Sequence, residues 1–303
     1  VNLFGEVPLI TDTDYRKNAV MPLSGINVIY DQIDDDLERA ANLLGDVYAD
    51  AERFGPNRWA VRALQARVAL YREDWQAAEE FAEEVIAQDG LYRIATLEEA
   101  FLKNGGEAIW QRMPFTANTA TGEAALFFSS VETGYTATEW LHAAFDPADG
   151  RLAQWIAVEG EGDERVIRPA KYRAVTDIGG GATEIPEYSI ILRLAEQYLI
   201  RAEARARLDN VAGAVADLDV LRSRAGQPLL QDVRPNIGAQ ELLDSIVVER
   251  QRELFTEWGH RWLDLKRWGR AEAILAPLKP GFTADDLFYP IPESERLRNP
   301  NLN

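Results

Sequence analysis

The feature that most constrains this chain is a helix-turn-helix unit that occurs twice. In Ala63 to Ile86, ALQARVALYREDWQAAEEFAEEVI, small and apolar residues recur at helical spacing as far as Tyr71, an Asp-aromatic step follows, and a second apolar stripe begins. Asp74 is the type of residue that caps a helix start, and Gly90 the type that follows a helix end. The inward positions of the second helix are Ala78, Phe81, Ala82, Val85 and Ile86. Leu194 to Leu221, LAEQYLIRAEARARLDNVAGAVADLDVL, repeats the register: a shift of 136 residues puts Val211 on Trp75, Ala214 on Ala78, Leu218 on Ala82 and Leu221 on Val85. Units that stack in a continuous solenoid are sequence neighbours. Two copies this far apart therefore predict a helical scaffold interrupted by a long insertion.

The register is similar to a tetratricopeptide unit. Around it, the first fifteen residues read as irregular, and Ile26 to Leu44 as a helix with Ile29, Ile33, Leu37, Ala40 and Leu44 on one face and acids opposite. Asn57 to Tyr71 is an Ala-rich helix. Between Leu91 and Glu187 the character changes: Ala108 to Met113 and Ala124 to Val131 predict short extended segments, Thr136 to Phe145 a short helix, and many glycines mark loops. Ile237 to Trp258 predicts a long helix and His260 to Ile274 a continuation or a further one. The expected fold is mostly α, a single domain whose helical-pair scaffold spans 26–90 and 188–275. A loop-rich insertion with short strands covers 91–187, and an irregular tail covers 276–303.

Composition removes several functions. Fifty acids against 32 bases, a formal net charge of -18, exclude general nucleic-acid binding, which needs clustered Lys and Arg. The same excess opposes charge-driven adhesion to an anionic lipid surface. With no cysteine there is no disulfide, no thiolate metal site and no thiol nucleophile. No stretch reaches the roughly 18 apolar residues of a membrane-spanning helix; the segment around Tyr188 to Ile200 is broken by Ser189, Arg193, Glu196 and Gln197. The N-terminus has neither an initiator Met nor the pattern of a signal peptide, so a processed or excised chain is expected.

Catalytic patterns are thin. There is no G-x-S-x-G elbow around Ser129 or Ser130, no H-E-x-x-H, and the two histidines, His142 and His260, are expected to have a structural or surface role. Among 50 acids some pair always falls at hydrolase spacing, so that test discriminates little. DPADG at Asp146 to Gly150 lacks the full calcium-loop pattern and reads as a turn, and DIGGGATE at Asp177 to Glu184 reads as a loop. Trp262, Leu265 and Trp268 share a helix face at core spacing, with Glu249, Glu253 and Asp264 available to Arg261 and Arg267.

Three motifs in order then carry a family resemblance: Tyr188 to Gly226, the run ERQRELFTEWGHRWLDLKRWG at Glu249 to Gly269, and FYPIPESERLRNPNLN at Phe288 to Asn303. Together they are similar to the SusD/RagB family, and Asp149-Gly150-Arg151 resembles that family's Asp-x-Arg stretch. The opening FGEVPLI, Phe4 to Ile10, resembles a segment well inside family members, so the chain looks like the family without its front part. The resemblance implies a SusD-like αα superhelix in a surface-exposed lipoprotein of the bacterial outer membrane. Such a protein binds glycans, or sometimes peptides, and caps a TonB-dependent transporter. It implies a membrane link only through a lipid anchor outside this chain, and part of the ligand pocket would come from the absent front.

Sugar rings present apolar C–H faces that stack on Trp and Tyr while flanking polar groups bond the hydroxyls. The insertion carries Phe115, Phe127, Phe128, Tyr135, Trp140, Trp155 and Tyr172. Trp140 is expected in the core. Tyr135 and Trp155 lead the expected ligand-binding set, with Tyr172 and Phe115; no catalytic residue, metal or cofactor is expected. The function expected is non-catalytic glycan binding with delivery to the transporter. The alternatives are a glycoside hydrolase and a tetratricopeptide scaffold that binds protein.

Overall fold

In the computed structural model of the chain, which describes residues 1–114, 120–128, 135–174 and 186–302, the turn between paired helices is built twice with the same chemistry. The helices of eight or more residues are α1 (Ile26–Leu43), α2 (Arg58–Arg72), α3 (Trp75–Ile86), α4 (Leu194–Arg207), α5 (Val211–Arg224), α6 (Ala239–Leu254) and α7 (His260–Arg267). α2 opens under Asn57, whose side-chain oxygen accepts from Ala60 N at 3.0 Å, and stops at Glu73, which turns left-handed with φ 59°. Asp74 then accepts from Ala77 N at 3.1 Å and starts α3. After α4, Asp209 turns left-handed with φ 61°, and Asn210 accepts from Gly213 N at 3.1 Å to start α5. Each left-handed residue frees the chain to reverse, and each cap satisfies a backbone N–H that the first helical turn leaves unpaired. The inward positions behave alike: Ala78, Ala82 and Val85 are buried, as are Ala214, Leu218 and Leu221.

α2 packs on α3, α3 on α4, α4 on α5, and α6 on α4. The two pairs therefore stack as consecutive turns of a solenoid, although more than a hundred residues separate α3 from α4 in sequence. This corrects the expectation that distance along the chain breaks the stack. Four short strands explain it: β1 (Ala108–Arg112), β2 (Ile156–Glu159), β3 (Val166–Pro169) and β4 (Ser189–Arg193). β1 pairs antiparallel with β4, from Ala108 opposite Arg193 to Arg112 opposite Ser189, so the outgoing and returning arms of the insertion lie side by side. The returning strand runs straight into α4, and a closed loop of any reasonable length adds little entropic cost once its ends are paired.

The insertion departs from expectation at two places. Ala124 to Phe128 is not extended but belongs to a short helix, Gly122–Phe128, with Thr121 Oγ1 accepting from Ala124 N at 3.1 Å and Ala124 buried, and the rest of that expected segment, 129–131, lies outside the described residues. β2 and β3 form an antiparallel hairpin that the sequence did not announce. Its turn needs Gly160, at φ 72°, because a Cβ there would stand 2.5 Å from Glu164 O. The expected loop at 177–184 lies outside the described residues.

Two compact units divide the chain: Ala40–Trp258, and Val1–Arg39 with Gly259–Asn303. The first holds the helical pairs and all four strands. In the second, the two ends of the chain are tied by backbone carbonyls: Leu3 O accepts from Tyr289 N at 2.8 Å, Met21 O from Asn299 Nδ2 at 2.7 Å, and Asn2 O from Lys266 Nζ at 2.6 Å. Leu265 of α7 is buried, with Trp262 and Trp268 half-buried beside it, and Arg267 pairs with Asp264 at 2.9 Å. The tail is less irregular than expected, since Glu293–Arg298 forms a short helix. Among the described residues no helix is long and apolar enough to cross a membrane.

If the two turns are equivalent, Asp74→Ala and Asn210→Ala each lower the unfolding free energy by about 1 kcal/mol. Urea denaturation monitored by circular dichroism measures both; a cost at one turn only would show that the second helix start is held by packing instead.

Candidate functional site

Three of the four expected ligand-binding residues fall within the described residues, and the structure separates them. Trp155 ends the short helix Gly150–Trp155 and is 1% exposed, with its indole N–H donating to Leu97 O at 2.9 Å. Tyr172 is 6% exposed, and its hydroxyl accepts from Ile190 N at 3.0 Å. Both rings meet Phe101 edge-to-face, with centroids 5.3 and 5.1 Å away. Enclosed rings of this kind offer no face to a sugar, so these two are core residues. Phe115 lies outside the described residues. Tyr135 is 65% exposed.

Below the insertion lies a cluster of charges. Arg151 is fully buried, with Nη2 donating to Asp149 Oδ2 at 2.8 Å and Nη1 to Glu249 Oε1 at 2.6 Å and Glu253 Oε2 at 2.9 Å. Arg193 donates to Glu257 through Nε at 2.7 Å and to Glu253 Oε1 and Glu107 Oε2 through Nη1 at 2.7 and 3.1 Å. Arg224 reaches both Glu107 and Glu253, and Arg222 lies 3.6 Å from Glu249. Lys171 closes the cluster on Glu257, with its ammonium 3.9 Å from the Phe255 centroid. Glu249 and Glu253, assigned from sequence to Arg261 and Arg267, are thus engaged by Arg151, Arg193, Arg222 and Arg224. The expected turn is present, with Asp149 N donating to Asp146 O at 2.8 Å, and the Asp149 carboxylate adds to it by accepting from Arg151 N, capping the short helix and pairing with the buried guanidinium.

Burial alone raises the Glu253 carboxyl, but the guanidiniums of Arg224, Arg193 and Arg151 hold it well below the usual carboxylate range. Glu257 is likewise lowered: burial opposes ionisation, and Arg193 and Lys171 outweigh it. Burial pushes Lys171 down to about 8, partly offset by Glu257. Carboxylates converging in this way resemble a metal site in composition, yet each meets cations of the chain itself. Among the described residues no group of His, Asp and Glu could hold a metal ion.

On the exposed side the same insertion builds a polar-aromatic surface. Ala137 N donates to Ile167 O at 2.8 Å, which lays the segment after Tyr135 along β3. Thr138 then caps the helix Glu139–His142, its hydroxyl accepting from Leu141 N at 3.2 Å. Arg165, at the end of the β2–β3 turn, donates to Glu139 Oε1 at 2.5 Å and to His142 Nε2 at 3.2 Å. Because arginine only donates, the His142 proton in this arrangement sits on Nδ1. Trp140 on the same short helix is 41% exposed rather than core, because the four-residue helix has too little length to bury all its faces. Tyr135, Trp140 and the fixed Arg165 fork thus share one short stretch of structure. Sequence reasoning missed Arg165; its only signal was its place beside the glycines of the hairpin turn. A separate groove of about 460 Å³ between Asp146, Arg222, Arg234, Glu241 and Arg252 carries mixed charge and no aromatic ring.

The comparisons with known proteins agree in kind. A family model described as "SusD family" matches residues 153–303, and one described as "Starch-binding associating with outer membrane" matches residues 1–70. SusD-like protein P38 of Formosa agariphila is 26% identical, across 99% of this chain and 69% of the relative. A solved SusD superfamily protein from Bacteroides vulgatus superposes with a TM-score of 0.81 at 20% identity, covering all of this chain and 73% of its own. A laminarin-binding SusD-like protein superposes at 0.79 with 24% identity, over 99% of this chain and 73% of that one.

The charge cluster sets two expectations. Glu253→Gln leaves three guanidiniums short of a partner and costs about 3–5 kcal/mol in urea unfolding; a loss under about 1 kcal/mol would mean that water reaches the cluster. Lys171 binds its proton less tightly folded than unfolded, so between its folded value of about 8 and its ordinary 10.5 the unfolded state carries more protons and stability rises with pH. Unfolding curves from pH 8 to 10 should show that rise, and Lys171→Met should remove it.

Proposed function

The chain belongs to the SusD/RagB family, and we propose that it is a non-catalytic glycan-binding protein that passes its ligand to a TonB-dependent transporter at the surface of the outer membrane. The observation that carries the reading is the exposure of Tyr135 and Trp140 on one short segment, whose helix Arg165 holds through Glu139 and His142. An aromatic face takes the apolar side of a pyranose, and guanidinium and carboxylate groups bond its hydroxyls in a direction fixed before the ligand arrives. Pre-positioned groups lose little freedom on binding, which favours affinity. In this reading the helical frame of 26–90 and 188–275 is a mount, and the insertion of 91–187 is the part that meets the ligand. The starch-binding description of the matched family model and the laminarin ligand of one structural relative support a neutral polysaccharide.

The carboxylates beneath that surface favour binding over hydrolysis. A glycosidase acid must hold its proton near neutral pH, which requires a raised carboxyl. Glu253 and Glu257 are lowered by their cations instead, while Glu187 and Asp217, which burial raises, are taken up by Arg173 N and Ala174 N and by Arg201 and Arg205 respectively.

Affinity gel electrophoresis with soluble starch and laminarin tests the proposal. Retardation of the wild type is expected, with Tyr135→Ala weakening it by about tenfold, equivalent to about 1.4 kcal/mol. Release of reducing ends from either polysaccharide would overturn the non-catalytic role, and unchanged retardation of Tyr135→Ala would overturn the binding surface.

A further inference from the structure

The unit formed by the two chain ends holds a cleft that the insertion surface does not explain. It encloses about 580 Å³, in the range of small-ligand sites, and is lined by Trp262, Lys279, Phe282, Asp286, Phe288 and Tyr289, with the Pro280-Gly281 turn on its rim. Its rings are held in place. Trp262 and Phe282 meet edge-to-face at 6.2 Å and 89°. Tyr289 is fixed through its backbone N–H to Leu3 O at 2.8 Å, and its ring leans on Phe4 with centroids 6.1 Å apart, yet it stays 60% exposed. An exposed ring with an anchored backbone is costly to leave in water and is ready to stack.

The polar groups narrow the ligand. Lys266 already places its ammonium 3.9 Å from the Phe288 centroid and 5.6 Å from that of Trp262, so the cation position of an aromatic cage is taken by the chain itself. A quaternary ammonium ligand would meet that charge. An anionic ligand gains little, because Asp286 sits in the same wall as Lys279 and the whole chain carries a net charge of -18. What remains complementary is a neutral ligand with apolar faces and many hydroxyls. Asp286 is positioned for it: Thr283 N and Oγ1 both bond its Oδ2, at 2.7 and 3.2 Å, which leaves Oδ1 to accept. Lys279 supplies an exposed donor.

We propose that the cleft between Trp262, Phe282 and Tyr289 is a second glycan subsite that stacks a neutral pyranose on Tyr289 and bonds its hydroxyls through Asp286 and Lys279. This rests on the glycan-binding reading above, and it gives the chain two separate contacts for one polysaccharide. Two weak contacts on one polymer raise the effective concentration at each, so their combined affinity exceeds either alone.

The test is calorimetric titration of soluble starch and laminarin into the wild type, Tyr289→Ala, Tyr289→Phe, Asp286→Asn and Tyr135→Ala, with thermal melts confirming that each variant folds. Tyr289→Ala should weaken binding about tenfold and Tyr289→Phe should retain it, because the ring and not the hydroxyl makes the contact. Asp286→Asn should weaken it more modestly. If Tyr289→Ala binds like the wild type while Tyr135→Ala fails, the cleft is not a subsite and the family-level reading stands. If the wild type binds neither polysaccharide, both the reading and the subsite fall. Binding of a Pro-rich peptide at the cleft, competing with no sugar, would overturn the carbohydrate assignment.

Discussion

The Glu253 carboxylate is the point on which the larger unit depends. It lies on α6, fully buried, and is met by Arg151 from the insertion, Arg193 from the strand entering α4 and Arg224 from the end of α5. One side chain therefore joins three parts of the chain that have no reason to be near one another in sequence. A buried ion pair adds little net stability compared with an apolar cluster of the same volume, because desolvation cancels most of the attraction. Its effect is on uniqueness. Any register in which the insertion shifts against the helices leaves several buried charges unpaired, and each such state costs far more than the native one gains.

That cluster also explains how a frame of small residues can carry a loop-rich half. Alanines at Ala63, Ala66, Ala78, Ala82, Ala202 and Ala204 let α2, α3 and α4 approach closely, but an alanine contact surface supplies little specificity of its own. The β1–β4 pair brings the arms of the insertion together, and the Arg193 guanidinium at the end of β4 then points the chain into α4 with its charge already committed. Backbone pairing sets the position of the insertion and the ionic cluster sets its register.

Much of this was legible from sequence because it is local. The cap at Asp74 and its counterpart at Asn210, and the buried alanines and leucines after each, follow from spacing and side-chain chemistry alone. The charge cluster was not. Glu249 and Glu253 are four apart in the ERQREL run and look available to the nearby Arg261 and Arg267, whereas their partner Arg151 lies about a hundred residues away. Trp155 and Tyr172 failed for a related reason: their place in the loop-rich insertion, with Gln154 beside Trp155, made them look like loop aromatics, while burial against Phe101 is a tertiary fact. The motif that suggested the family did include the hub, since ERQREL holds two of its carboxylates.

The contrast between the hub and the exposed rings is what makes a receptor of this kind workable. Binding a polymer needs aromatic faces left in water, and such faces weaken a fold unless something else fixes their mount. At Tyr135 the mount is a four-residue helix, one hydrogen bond to β3 and the Arg165 fork, all seated on an insertion that the ionic cluster locks. Because buried carboxylates are neutralised pairwise, most of the net charge of -18 is left on solvated side chains, where it repels anionic polymers and leaves neutral ones unopposed. In the proposed reading, rigidity is drawn from charges that no ligand can reach, and recognition falls to exposed rings with a few charged groups, Arg165, Asp286 and Lys279, beside them.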